Sequence, residues 1–308
     1  MNAPAVNMDK RKPGFKVSRR ALPYLLSLPA LLVCAGILVP FITSVINSFY
    51  RYRLSQPFGV KFNWGANYID FMTDPGFWNT LRISLVYAGV TVILELLLGL
   101  GIALLLQKRT RFNNFVSIML LMPLMTAPAL AALMWKLMTN PGFGILSYFV
   151  SLLGFSDFRW ASSPSTALFT VVLVDIWVYT PFIMILLLAG LRSLPTQPFE
   201  AAALDGVPRA FVFFRITLPM LTPYILTATL FRLLDSIQQF DIIYAMTQGG
   251  PGDTLTVFQV EAYLNFFQST NVGRSAALMI ILWAITYFLS NLFIKNWLRL
   301  RERARGEA

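Results

Sequence analysis

Residues 78–106 read WNTLRISLVYAGVTVILELLLGLGIALLL, in which Arg82 and Glu95 are the only charged residues. A transmembrane α-helix needs about 20 consecutive, mostly apolar residues to cross the hydrocarbon core of a bilayer. The stretch exceeds that length, so the helix it predicts must tilt or extend beyond the hydrocarbon. This stretch therefore predicts a chain that folds in a membrane.

Five further apolar runs of similar length follow or precede it. They are Leu22–Phe49, Phe115–Met138, Ala167–Gly190, Thr222–Met246 and Ala276–Leu298. Charged residues make up 13% of the chain, against about 25% in soluble proteins. The first run is longer than the 7–15-residue core of a signal peptide, which favours an uncleaved span. The sequence predicts an all-α, polytopic membrane helical bundle with six transmembrane helices.

The basic residues predict the orientation of the spans. The two ends of the chain and the gaps after residues 106 and 190 hold 17 Lys and Arg, whereas the opposite gaps and span ends hold 7. Cytoplasmic loops of membrane proteins carry an excess of Lys and Arg. Both termini are therefore predicted to lie in the cytoplasm, with residues 1–20 forming a disordered segment and residues 299–308 a tail.

The composition also argues against several classes of function. The chain has one cysteine, Cys34, and no histidine, so an intrachain disulfide and Ser-His-Asp catalysis are excluded and a zinc site is not expected. No metal site and no cofactor are predicted. The formal net charge of +11 is divided between the ends and short gaps rather than forming one basic face, which argues against nucleic-acid binding.

The gap after the fourth apolar run has a pattern of its own. Residues 191–219 read LRSLPTQPFEAAALDGVPRAFVFFRITLP, which predicts two short helices around a turn. Pro198 suits a first helical turn, and Glu200 would lie near the positive end of the helix dipole. Gly206 can adopt the left-handed backbone that ends a helix, Pro208 can open the second helix, and Pro219 is expected to stop it.

This loop resembles the EAA loop of the permease subunits of ABC importers. The matching residues are Glu200, Ala201, Ala202, Asp205, Gly206 and the run from Ile216 to Pro219, and Arg209 in the same loop is a further candidate coupling residue. The resemblance implies that residues 191–221 form a coupling loop that docks into a cleft of a separate ATPase. The alternative is that Glu200 only stabilises a helix end and that Asp205-Gly206 is a plain turn.

Residues 20–300 resemble the sugar-permease branch of that family. The segments that carry this likeness include Asn67-Tyr68, Trp78–Leu81, Phe231–Asp235 and Gly249–Gly252. The resemblance implies a type I importer permease domain over residues 21–298 in a bacterial inner membrane. It also implies a second permease subunit in a heterodimer, an ATPase dimer that binds ATP and Mg, and a periplasmic or extracellular solute-binding protein. The chain itself has no phosphate-binding Gly-x-x-x-x-Gly-Lys-Ser/Thr motif and is not expected to be an enzyme.

Polar residues inside the fourth and fifth apolar runs mark a candidate substrate pathway. An ionised side chain at mid-bilayer costs about 3 kcal/mol, so such residues are expected to face the bundle interior or a wet cavity. The candidates are Tyr179, Phe182, Arg232, Asp235, Ser236 and Gln239. Alternatively, Arg232 and Asp235 form a structural pair on one helix face while Tyr179 and Phe182 pack the core. Glu95 is expected to be a structural or interhelical polar contact.

Other functions remain open on the sequence. An ion-coupled secondary transporter would use carboxylates such as Asp175 and Asp241, although no inverted repeat is evident. An intramembrane enzyme lacks histidine and a metal-ligand cluster. The same importer class could instead carry a glycerol phosphate or a sulfonated sugar. Residues 249–256 either contact a binding protein or form a turn before a short surface helix at Val257–Phe267.

Overall fold

The computed structural model describes residues 22–305, so the predicted disordered segment 1–20 and the last three residues lie outside the described part. The chain divides into two compact units, residues 1–46 and 47–308. The described part of the first unit belongs to helix α1, Leu22–Ser48. Its apolar side chains are exposed along the helix, as expected of a span in lipid.

The second unit consists almost entirely of helices. They are α2 (Ala66–Thr73), α3 (Pro75–Leu105), α4 (Arg111–Leu120), α5 (Pro128–Met138), α6 (Ile145–Leu152), α7 (Pro164–Ser193), α8 (Gln197–Leu204), α9 (Arg209–Phe211), α10 (Leu218–Ile237), α11 (Asp241–Thr247), α12 (Phe258–Phe267) and α13 (Val272–Arg305). A two-residue antiparallel pair, β1 (Tyr50–Arg51) and β2 (Lys61–Phe62), joins residues just after α1. The predicted all-α fold is confirmed.

Within the described residues, five helices are long and apolar enough to cross a membrane. They are Tyr24–Ser48, Pro75–Leu105, Pro164–Ser193, Arg209–Ile237 and Val272–Lys295. The predicted span Phe115–Met138 is not one continuous helix, because Arg111–Met125 and Pro128–Met138 meet at an angle of 92°. Pro123 and Pro128 lie at the break and lack the N–H groups that would continue a helix. The predicted count of six therefore requires that this bent pair make one crossing.

The predicted fifth span, Thr222–Met246, also ends early. Helix α10 stops at Ile237, and Asp241 begins the separate helix α11. The N–H groups of Gln238 and Gln239 bond carbonyls three residues back, at 3.1 and 3.2 Å, which tightens the last turn. Asp241 therefore lies outside the span in which the sequence pattern had placed it.

Helix α7 packs against both α3 and α10. Two glycines permit this close approach. A Cβ atom on Gly99 would lie 2.8 Å from Ile183, and one on Gly190 would lie 2.6 Å from the ring of Tyr224. Apolar clusters fill the contacts between these helices. The three helices are thereby held close enough for polar side chains to bridge them.

Candidate functional site

Arg232 of α10 is the centre of a polar cluster between three helices. Its side chain is 1% exposed, and Nε and Nη2 donate to the two carboxylate oxygens of Glu95 on α3, at 2.6 and 3.0 Å. Nη2 also donates to Asp175 on α7. The guanidinium thus ties α10 to α3 and α7 through charge-assisted hydrogen bonds, one pair of which is bidentate.

Neighbouring side chains complete the hydrogen bonding of these ions. Gln239 donates to the second oxygen of Asp175 at 3.0 Å. The ring of Tyr179 lies 4.1 Å from the guanidinium carbon of Arg232, a cation–π geometry. Ser236 bonds Thr91 of α3 at 2.8 Å. Burying an ion costs several kcal/mol unless its charge and its hydrogen bonds are compensated, and this arrangement supplies both.

Asp235 differs from the other carboxylates of the cluster. It accepts from Arg232 Nη1 at 2.8 Å, yet its side chain remains 55% exposed, whereas Glu95 and Asp175 are fully buried. We define Glu95, Asp175, Arg232, Asp235 and Gln239 as the polar cluster. Its accessible carboxylate is Asp235, so this residue can meet a solute while the others hold the helices.

The structure brings most of the predicted pathway residues together. Tyr179, Arg232, Asp235, Ser236 and Gln239 lie in or beside the polar cluster. Phe182 instead packs, half-buried, against an apolar cluster formed by α3, α7 and α10. Both the predicted Arg232–Asp235 pair and the predicted interhelical contact of Glu95 are present. Sequence analysis missed that Glu95 and Asp175 share Arg232, although both are ionisable residues within apolar runs.

The predicted coupling loop, residues 191–221, has the expected local structure up to its second helix. Pro198 and Glu200 lie in the first turn of α8, and Gly206 has a φ of +63°, the left-handed geometry that follows a helix end. Ala202 is buried, whereas Glu200 and Leu204 are exposed, Leu204 to 90%. The loop therefore presents polar and apolar side chains that the described chain does not cover.

The expectation that Pro219 ends the second helix is wrong. Residues 212–217 form a π-helical turn, in which the N–H of Leu218 bonds the carbonyl of Phe213, and α10 continues directly from Leu218. Pro219 lies in the first turn of α10, where its missing N–H is tolerated. The chain is accordingly helical from Arg209 to Ile237.

A half-buried carboxyl, Glu261 of α12, lies near Thr80 at the N-terminal end of α3. Burial raises the pKa of this carboxyl above the usual value, while Thr80 and Arg274 oppose that effect. Arg274 in turn pairs with Asp74 at 2.7 Å. Residues 249–256 form a hydrogen-bonded turn, with Leu255 N donating to Gly249 O at 3.1 Å. The short helix expected after this turn is present as α12; a contact of the turn with a binding protein stays a prediction.

The carboxylates of the polar cluster surround a guanidinium rather than a metal site. Across residues 22–305, no group of three or more His, Cys, Asp or Glu side chains is arranged to hold a metal ion. The site offers hydrogen-bond donors and acceptors and one accessible carboxylate, Asp235.

Comparison with known proteins identifies relatives over almost the whole chain. Residues 95–304 match the family described as binding-protein-dependent transport system inner membrane component. The chain is 32% identical to the trehalose/maltose transport system permease protein MalF of Thermococcus litoralis, over 91% of this chain and 95% of the relative. It is 31% identical to the sulfoquinovosyl glycerol transport system permease protein SmoG of Agrobacterium fabrum, over 90% of each chain.

Solved structures show the same fold. A chain of a bacterial ABC transporter involved in the import of the acidic polysaccharide alginate superimposes with a TM-score of 0.75 at 19% identity, over 93% of this chain and 96% of that one. A structure of the bacterial alginate ABC transporter in complex with an alginate pentasaccharide-bound periplasmic protein gives a TM-score of 0.74 at 18% identity, over 89% and 93% of the two chains. The membrane fold predicted from the sequence is confirmed by this likeness.

Proposed function

Because the chain belongs to the family of inner membrane components of binding-protein-dependent transport systems, we propose that it is the permease subunit of an ATP-driven importer for a carbohydrate or a related sugar derivative. The two relatives compared above are named for trehalose or maltose and for sulfoquinovosyl glycerol. The substrates in both names contain a sugar ring. A glycerol phosphate is a further candidate, since a relative at 29% identity is named for sn-glycerol 3-phosphate.

The exposed side chains of the predicted coupling loop are the observation that supports this proposal. Helix α8 exposes Glu200 and Leu204, and Phe211 and Phe214 nearby are 50% and 63% exposed. Apolar side chains exposed beside a charged helix end favour a protein contact. We assign ATPase coupling to Glu200, Ala201, Ala202, Asp205, Gly206, Arg209 and Pro219. The partner ATPase dimer would bind ATP and Mg and move this loop.

The position of the loop agrees with a cytoplasmic location for both termini. If the bent pair α4–α5 makes one crossing, four crossings precede the loop and two follow it. An even number on each side puts the two ends and the loop on one face of the membrane, the face to which the basic residues assign them. A second permease subunit and a periplasmic binding protein would complete the importer.

Burial divides the proposed pathway residues into two groups. Asp235 is half-exposed and Tyr179 and Phe182 are half-buried, so these three can contact a passing solute. Arg232, Ser236 and Gln239 are buried and would hold the first group in place. An aromatic face beside a carboxylate suits a sugar ring, which offers both C–H and hydroxyl groups.

The first experiment is affinity capture of the tagged chain from its native membrane. We expect an ATPase, a second permease and a solute-binding protein to co-purify. Recovery of the chain alone, with uptake in proteoliposomes that does not require ATP, would instead establish an ion-coupled transporter.

Charge reversal tests the coupling loop within the captured complex. Glu200→Lys places a cation at the positive end of α8 and at the proposed ATPase contact, so ATP-driven uptake should be lost while the chain still inserts into the membrane. Asp157→Lys, a matched reversal at an exposed loop position, should transport normally. Normal uptake by Glu200→Lys would refute the coupling role.

A further inference from the structure

Beyond the polar cluster, four aromatic residues form a continuous series of ring contacts that the pathway described above does not include. They are Phe240, Tyr244, Tyr263 and Phe267, which we call the aromatic shelf. Phe240 stacks on Tyr244 with ring centroids 5.0 Å apart and an interplanar angle of 14°. Tyr263 lies 5.1 Å from Phe240 and 4.7 Å from Tyr244. Phe267 extends the row, 4.6 Å from Tyr263.

The shelf combines apolar ring faces with polar groups. Tyr244 and Tyr263 each add a hydroxyl to the shelf, and Gln259 lines the cleft beside Tyr263. The cleft has a volume of about 250 Å³ and is bordered by Phe240, Tyr263 and Phe267. Pockets that bind drug-sized ligands measure about 300–1,000 Å³. The cleft is smaller than this range, so it suits one small ring rather than a long chain.

The rings of the shelf are accessible. Phe267 is 63% exposed, and Phe240, Tyr244 and Tyr263 are half-buried. Helices α11 and α12 have 7 and 10 residues, too few to cross a bilayer, so the shelf is not the lipid face of a span. A core cluster would cover these rings.

The shelf also begins where the polar cluster ends. Phe240 directly follows Gln239, whose amide bonds Asp175. Phe240 and Tyr244 pack against the same apolar cluster as Tyr179, the aromatic residue that lies over Arg232. The shelf therefore extends from the neighbourhood of the polar cluster to Phe267.

We propose that the aromatic shelf is a second sugar-binding subsite, where the C–H face of a pyranose ring packs on Tyr263 and Phe267 before the sugar reaches Asp235. This assignment rests on the proposed function. Tyrosine presents an apolar ring with a polar tip, so the shelf can hold a ring by its face while Gln259 and the hydroxyls bond its rim.

Uptake measured against ATP hydrolysis tests the subsite. The complete complex is reconstituted in proteoliposomes with its binding protein, and uptake of radiolabelled trehalose, maltose and sulfoquinovosyl glycerol is measured for each variant. Tyr263→Ala and Phe267→Ala should each lower uptake about three- to tenfold, the range expected for loss of one aromatic contact. ATPase activity stimulated by the binding protein should stay within about twofold of wild type, since the coupling loop is unchanged.

Two controls separate ring stacking from general damage. Tyr263→Phe keeps the ring and should retain most of the uptake. Tyr287→Ala removes an exposed aromatic side chain of α13 that stacks on Trp283 and should transport as wild type.

The possible results have distinct meanings. Wild-type uptake by both Tyr263→Ala and Phe267→Ala would overturn the subsite. Loss of the second permease from the complex in these variants would overturn it as well and would make the shelf a subunit interface. If the wild-type complex takes up none of the three sugars, the proposed substrate class fails, and the subsite fails with it.

Discussion

Replacing Arg232 by glutamine should destabilise the protein more than any other single change in the polar cluster. The substitution leaves Glu95 and Asp175 buried without their cation, because both carboxylates are fully buried and bond the guanidinium directly. Removing one partner of a buried ion pair costs about 3–5 kcal/mol. The contact with Asp235 adds little to this loss, since half-exposed ion pairs contribute about 0.2–1 kcal/mol.

The matched variants make this estimate testable. Asp235→Asn removes only the half-exposed partner and should cost about 1 kcal/mol or less. Arg232→Lys keeps the charge but cannot form the bidentate bond to Glu95, so it should fall between wild type and Arg232→Gln. Adding Glu95→Gln to Arg232→Gln removes one unpaired charge and should recover part of the lost stability, which a double-mutant cycle measures as a coupling energy.

The measurement is reversible unfolding of the purified chain in mixed micelles, followed by the change in helicity. The reasoning is refuted if Arg232→Gln unfolds within about 0.5 kcal/mol of wild type, the range of ordinary surface substitutions. The reasoning is also refuted if the double variant loses more unfolding free energy than the two single variants lose together. Removal of an unpaired charge predicts that the double variant loses less than this sum.

Two other substitutions test packing and buried charge. Gly190→Ala places a Cβ atom 2.6 Å from the ring of Tyr224 and should lower the unfolding free energy by about 1–3 kcal/mol, because it overpacks α7 against α10. The control is Gly89→Ala, where no atom lies within 4 Å of the new Cβ. This variant should be neutral or slightly stabilising in the same unfolding assay. Glu261→Gln should change the pH dependence of the melting temperature. Because burial raises the pKa of Glu261 in the folded protein, its contribution is fully present below the usual value of about 4.3 and is lost as the pH rises through the folded value. The variant should therefore match wild type at a pH below that usual value and melt at a higher temperature at pH 8, and a difference that does not vary with pH would contradict this explanation.

Apolar length and local turn chemistry made much of the fold predictable from the sequence. Long apolar runs identified the spans near α1, α3, α7 and α13, because a bilayer selects for length and hydrophobicity alone. Pro198 and Gly206 predicted the start of α8 and the turn after it for local steric reasons. The bend between α4 and α5 was not predicted, although Pro123 and Pro128 lie at it. Apolar content indicates the length of a span but not whether the helix bends within it.

The polar cluster was only half predictable for a different reason. Arg232 and Asp235 are three residues apart, so helix periodicity predicts their contact. Glu95 and Asp175 lie 137 and 57 positions from Arg232, and their pairing depends on how α3 and α7 pack against α10. The need to compensate a buried charge still gave a signal for this pairing. An isolated ion within a bilayer is costly, and the apolar runs that form α3 and α7 each contain a carboxylate.

The error at Pro219 bears most directly on how the importer would work. If the second helix of the loop ended at Pro219, a flexible joint would separate the coupling loop from the fifth span. Movement of the loop would then not be transmitted to that span. Instead the chain is helical over the 29 residues from Arg209 to Ile237, a length of about 44 Å at 1.5 Å per residue. One end lies in the coupling loop, and the other carries Arg232, which is bonded to both α3 and α7. Since helices move as rigid elements between discrete packings, we expect a displacement of the loop by the ATPase to reach Asp235 through α10 itself. The burial of Arg232 and the exposure of Asp235 fit this proposal, because Arg232 fixes α10 to α3 and α7 beside the residue that we propose contacts the solute.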